Sequence, residues 1–67
     1  PRRELVERQL RTLTPEHQTA LELRVVQELD YQDVALRMKV TEQAARARVS
    51  RGLKALATRI SRLERPT

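Results

Sequence analysis

Apolar residues recur along this chain at spacings of three and four, the period of a helix with one buried face, and no stretch reads as a strand. Val6, Leu10 and Leu13 share one face of a first predicted helix, about residues 3–12, with Glu4/Arg8 and Glu7/Arg11 as supporting pairs four apart. A second, about 14–28, opens at Thr14-Pro15, a threonine cap followed by proline at the first helical position. Its stripe of Leu21, Val25 and Leu29 is widened by Ala20, Leu23 and Val26, so this helix is expected to bury more than one side and to be central. Asp30 caps a short third helix, about 31–38, with Asp33 near its positive end and Val34, Ala35 and Met38 facing inward.

"MKVT" at 38–41 follows as a tight turn, and Thr41 can cap a last helix of about 41–63, which no proline interrupts before Pro66. Two helices joined by so short a turn suggest helix-turn-helix geometry. On the last helix, at about 100° per residue, Ala45, Val49, Gly52, Leu56, Ile60 and Leu63 fall within an arc of about 80°, with Leu53 on its edge. That arc is the expected core face. Gln43, Arg46, Ala47, Ser50, Arg51 and Lys54 fall on an arc centred almost opposite, which must meet solvent or a partner. Gly52 lies on the inward arc, where its plainest use is close approach to a neighbouring helix, at a cost of about 1 kcal/mol in helix propensity relative to alanine.

Charge sharpens this picture. Residues 1–38 hold six arginines against seven acids, net −1, whereas residues 39–67 hold eight lysines and arginines against Glu42 and Glu64, net +6. Such asymmetry is the footprint of a surface meeting a polyanion, nucleic acid first and anionic membrane second. A membrane-lying helix is the weaker alternative, because there is no tryptophan or phenylalanine to insert and the apolar arc already belongs to the core. Sixty-seven residues make at most one small domain, taken as residues 1–67. With no cysteine there is neither a disulfide framework nor a thiolate metal site, and no apolar run approaches a bilayer span or a signal core, so a cytoplasmic location is expected.

Catalysis is not expected. His17 is the single histidine and lacks the partners that metal binding or general-base work would need, so it is read as a solvent-exposed helix residue. Ser50, Ser61 and the scattered acids form no nucleophile arrangement, phosphate loop or carboxylate pair, and no cofactor is implied. Tyr31 is the sole aromatic, so the chain lacks the stacking residues that capture unpaired bases.

"LTPEHQTALELRVVQELDYQDVALRMKVTEQAARARVSRGLKAL", residues 13–56, resembles the C-terminal region 4 of bacterial RNA polymerase sigma factors, especially the small extracytoplasmic-function group. Leu13 and Pro15 opening a helix, "LELR" at 21–24, Leu29 and Tyr31 before a short helix with Val34-Ala35, and "RARVSRGLKAL" at 46–56 carry the likeness by order and spacing. The chain departs from the family at three places. Lys39 and Glu28 stand where glycine is common, and Ala44-Ala45 replaces the usual threonine-valine pair. If the Lys39 turn is left-handed, a lysine there costs about 1 kcal/mol or more.

The resemblance implies an all-α fold, a small four-helix domain with a helix-turn-helix and a long C-terminal recognition helix. It implies binding of double-stranded promoter DNA at the minus-35 element, docking on the beta flap of the RNA polymerase core, and cover of the same surfaces by an anti-sigma factor. A complete sigma factor of this kind carries another domain for opening DNA, so the chain is expected to be an excised domain or a detached relative. A recognition helix sets its N-terminal half against base edges while flanking groups bind phosphate. Arg46 and Arg51 are the leading candidates for base contact, each able to make two parallel bonds to guanine or to grip a phosphate, and the resemblance places DNA contacts at both. From spacing alone, a surface pair with Glu42 competes for Arg46. Gln43 suits adenine and Ala47 a thymine methyl or close backbone approach. Ser50 and Lys54 suit phosphate or water, Thr41 a cap that also touches phosphate, and Arg48 a flanking phosphate or solvent. Arg59, Arg62 and Arg65 lie beyond the groove end and are read as solvated. The alternative to a DNA-binding module is a protein-interaction module whose apolar groove takes the flap or an anti-sigma factor, with little DNA specificity.

Overall fold

The computed structural model describes residues 2–64; Pro1 and residues 65–67, Arg65 among them, lie outside it. Four α-helices succeed one another: α1 (Arg2–Leu10), α2 (Pro15–Leu21), α3 (Tyr31–Met38) and α4 (Glu42–Glu64), with a π-helical turn over Glu22–Val26 that continues α2. No strand occurs among the described residues. α4 packs against each of the other three helices. It is the longest element, and at about 1.5 Å per residue its 23 residues span about 34 Å of the 42 Å long axis.

Side-chain caps open α2, α3 and α4 as their sequences require. Thr14 Oγ1 accepts from His17 N–H at 3.4 Å with Pro15 in the first turn, Asp30 Oδ1 accepts from Asp33 N–H at 2.9 Å, and Thr41 Oγ1 accepts from Ala44 N–H at 3.0 Å. The helix ends are less conventional. α1 stops at Leu10, two residues short of the sequence reading, because Thr12 turns back and donates from both N–H and Oγ1 to Gln9 O. α3 closes on Lys39 at φ 59°, ψ 44°, with Lys39 N–H donating to Leu36 O and Val40 N–H to Ala35 O, the two bonds of a Schellman ending. Glu28 is the other left-handed residue, at φ 57°, and Leu29 N–H reaches back across it to Leu23 O at 3.1 Å. The two positions where glycine is common in the resembled family are therefore, among the described residues, the two non-glycine residues with positive φ, and each stores the strain of a Cβ in a left-handed turn.

The core has two lobes. Leu10, Leu13, Ala20, Leu21, Val49 and Leu56 form one, between α1, α2 and α4; Leu23, Val34, Ala35 and Ala45 form the other, seating α3 on the start of α4. Met38 packs against both. Leu21, Val34 and Val49 are the largest side chains wholly removed from water. Gly52 is buried where α2 crosses α4: a Cβ placed on it would lie 3.1 Å from Leu21 Cγ and 3.4 Å from His17 Cβ. The glycine thus permits the close approach read from its position, and His17 is half-buried in that crossing rather than free in solvent.

Several expected core positions are not core. The turn of Glu22–Val26 is widened, with Gln27 N–H donating to Glu22 O at 2.9 Å, five residues back. A π turn takes more residues per revolution, so it rotates the residues after it away from an α-helical stripe. Val25 and Val26 are turned outward, 52% and 61% exposed, and the helical path ends at Val26 rather than Glu28. Leu63 is 57% exposed because α4 has by then passed Ile60, its last residue packed on the core, and Leu53 on the arc's edge is also exposed.

Candidate nucleic-acid interface

α3, the turn at 39–41 and the first half of α4 form a helix-turn-helix whose second helix turns one face fully outward. Ala45 and Val49 hold α4 down with 0% and 1% exposure, so the residues on the opposite arc, Gln43, Arg46, Ser50, Arg51 and Lys54 among them, point away. Gln43, Arg46, Ser50, Arg51 and Lys54 are exposed, as is Thr41 at the helix entrance; Ala47 and Arg48 are half-buried, and Arg59 and Arg62 are exposed farther along. Thr41 Oγ1 accepts the capping bond from Ala44 N–H, a role that does not use the hydroxyl's own hydrogen.

Arg46 is the most engaged of these side chains. Its Nη2 lies 3.0 Å from Glu42 Oε1, the surface pair that competes with DNA for this arginine in the sequence. Its Cζ also lies 4.3 Å from the centroid of the Tyr31 ring. Arg24 reaches the same ring, with Cζ 4.7 Å from its centroid, and donates through Nη1 to Leu29 O at 2.9 Å. In the sequence, Arg24 and Tyr31 stand out only as positions of the family likeness, and Tyr31 also as the sole aromatic. The two are seven apart across a helix end and a turn, and helical periodicity does not connect residues on different elements.

A family model for sigma-70, region 4, matches residues 3–56, most of the chain. The chain belongs to the sigma-70 region 4 family. No match was found among curated proteins or solved structures. Region 4 is a non-enzymatic DNA-binding part of sigma factors, with a role in promoter recognition during transcription initiation, and its family binds promoter DNA and RNA polymerase. The matched span takes in α1, α2, α3 and α4 through Leu56, so the helix-turn-helix and its supporting helices lie inside it.

The region 4 domain has a second exposed feature, on a side to which α3 contributes nothing. Val6 and Leu10 of α1, Leu21, Val25 and Val26 of the second helical path, and Leu53 and Leu56 of α4 line an apolar groove of about 430 Å³, with Arg3 and Glu7 at its rim. These rim residues pair with each other at 3.4 Å. No group of three or more His, Cys, Asp or Glu able to hold a metal occurs among the described residues, and none of their helices is long and apolar enough to cross a membrane.

Proposed function

We propose that this region 4 domain recognises the minus-35 element of promoter DNA by laying the first half of α4 in the major groove. Arg46 and Arg51 make the base contacts of highest value, to guanine edges, while Gln43 and Ala47 meet adenine or a thymine methyl. Thr41, Ser50, Lys54 and Arg48 grip the flanking phosphates. The observation that carries this reading is the outward set of Gln43, Arg46, Ser50, Arg51 and Lys54 on the helix whose other face is anchored by Ala45 and Val49. Net charge of +6 over residues 39–67 supports it, since phosphate neutralisation is the sequence-independent part of DNA affinity. The domain is an adaptor of the extracytoplasmic-function type acting in the cytoplasm.

Duplex affinity measured against salt tests the reading. The expected log–log slope corresponds to several phosphate contacts, and Arg46→Ala should cost about 1–3 kcal/mol on the selected site only. A flat salt response would overturn DNA binding; equal loss on every duplex would reduce Arg46 to a phosphate clamp.

The groove lined by Val25, Val26 and Leu53 favours a second role on the same domain, docking of the polymerase beta flap helix, whose apolar side would cover residues that the core leaves in water. An anti-sigma factor acts here by competing for that cover. A domain that binds flap peptide without any sequence preference on DNA would leave this second role alone standing.

A further inference from the structure

We propose that Tyr31 is a positioning residue for base readout: its ring holds the Arg46 guanidinium at the edge of the recognition face, so that sequence preference depends on an aromatic side chain outside the recognition helix. This rests on the reading in which Arg46 contacts bases.

Arg46 faces two partners of different kinds. The Glu42 carboxylate, 3.0 Å from Nη2, takes up one N–H edge of the guanidinium and has to be given up before that edge can meet a base. The Tyr31 ring, 4.3 Å from Cζ, attracts the cation through its π face without accepting a directional hydrogen bond from a chosen N–H. The ring contact can therefore persist while the guanidinium edges turn to guanine, and the carboxylate pair cannot. A long side chain with large rotamer entropy loses less on binding when it is already held, which favours the one base that its fixed edges match.

The ring is itself held. Tyr31 is half-buried against the lobe formed by Leu10, Leu21 and Val49, and it starts α3 immediately after its cap, Asp30. Arg24 lies over the same ring at 4.7 Å, and its hydrogen bond to Leu29 O ties it across the left-handed residue Glu28. Leu29 O, Arg24, Tyr31 and Arg46 thus make a continuous chain from the end of the second helical path to the recognition face. No residue of that chain except Arg46 lies on α4.

The test compares the intact domain with Tyr31→Leu, Tyr31→Phe, Arg46→Ala and the Tyr31→Leu/Arg46→Ala pair, reading affinity for the duplex selected by the intact domain and for a scrambled duplex. Tyr31→Leu should lower the specific-to-scrambled ratio about tenfold while scrambled-duplex affinity and its salt slope stay within about twofold. Tyr31→Phe, which keeps the ring, should retain the ratio, and the double variant should lose no more than Arg46→Ala alone. A ratio unchanged in Tyr31→Leu but lost in Arg46→Ala overturns the positioning role and leaves base contact by Arg46 intact. Failure of Tyr31→Phe to rescue overturns it as well, by assigning the effect to the hydroxyl. A ratio unchanged in Arg46→Ala overturns base contact itself. Should Tyr31→Leu not fold, nuclear magnetic resonance of the intact domain decides: the Arg46 side-chain protons should be displaced upfield by the ring, and ordinary shifts would refute the contact.

Discussion

Arg46 Nη2 sits 3.0 Å from Glu42 Oε1, so the foremost arginine of the recognition face is paired with an acid one helical turn before it. Both side chains are about half exposed or more, and pairs of this kind on a helix surface contribute only about 0.3–0.5 kcal/mol. A bidentate guanine contact discriminates by about 1–3 kcal/mol, so under the proposed base contact the pair would yield to DNA. Glu42→Gln should raise affinity for all duplexes by about threefold or more, because it frees Arg46 and removes a negative charge from the face proposed to meet phosphate. Glu42 also favours the positive end of α4, so the same change should cost under about 1 kcal/mol of stability. Fluorescence anisotropy with a labelled duplex, beside urea unfolding, reads both; unchanged or weaker binding would show that Glu42 does not oppose DNA.

Lys39→Gly should stabilise the domain by about 0.5–1 kcal/mol. Lys39 holds φ 59°, ψ 44° at the end of α3, where glycine relieves the Cβ strain at some entropic cost in the unfolded chain. Glu28→Gly at φ 57° should act in the same direction, and the two changes should add if the sites are independent, which the double variant reads. Denaturant midpoints of the two single variants and the double variant check this. A loss of stability in either would mean that the lysine or glutamate side chain contributes more than its backbone strain.

Gly52→Ala should not deliver the gain of about 1 kcal/mol that alanine usually brings to a helix interior. The new methyl would stand 3.1 Å from Leu21 Cγ and 3.3 Å from Cδ1, so the buried Leu21 side chain would have to shift by a few tenths of an ångström to take it. The net effect expected is a destabilisation of up to about 1 kcal/mol, growing to about 2–3 kcal/mol for Gly52→Val. Thermal melts of the two variants measure it, and a more stable alanine variant would show that the α2–α4 crossing can open.

Val26→Asp and Leu53→Asp should abolish capture of a flap-helix peptide while leaving the fold and duplex affinity nearly intact. The two residues are 61% and 45% exposed, so a carboxylate at either stays hydrated and costs within about 0.5 kcal/mol of stability. Peptide titration by calorimetry distinguishes the outcomes: undiminished binding in both variants would move the docking surface elsewhere.

The sequence pattern disclosed the helix-turn-helix because its signals are local. Thr14-Pro15, Asp30 and Thr41 each act on backbone groups within three residues, and each makes the expected cap. The anchoring of α4 by Ala45, Val49, Gly52 and Leu56 was equally legible, since one uninterrupted helix keeps one period. Val25 and Val26 were not, because a π turn breaks that period without any glycine or proline to announce it. Leu63 failed for another reason: its phase is right, but the partner helices have ended. At the candidate interface, outward direction at Gln43, Arg46, Ser50, Arg51 and Lys54 followed from phase alone. The company Arg46 keeps with Tyr31 and Arg24 depends on how three elements come together, which spacing along one element does not encode.

Met38 packs against both lobes of the core, one seating α3 on the start of α4 and the other bracing the long rod from behind. With Tyr31 of α3 also seated on that bracing lobe and α4 carrying residues of both, the flexible Met38 thioether helps rivet the two halves, so loosening one should disturb the other. On warming, grip on duplex and helical signal should vanish at one temperature.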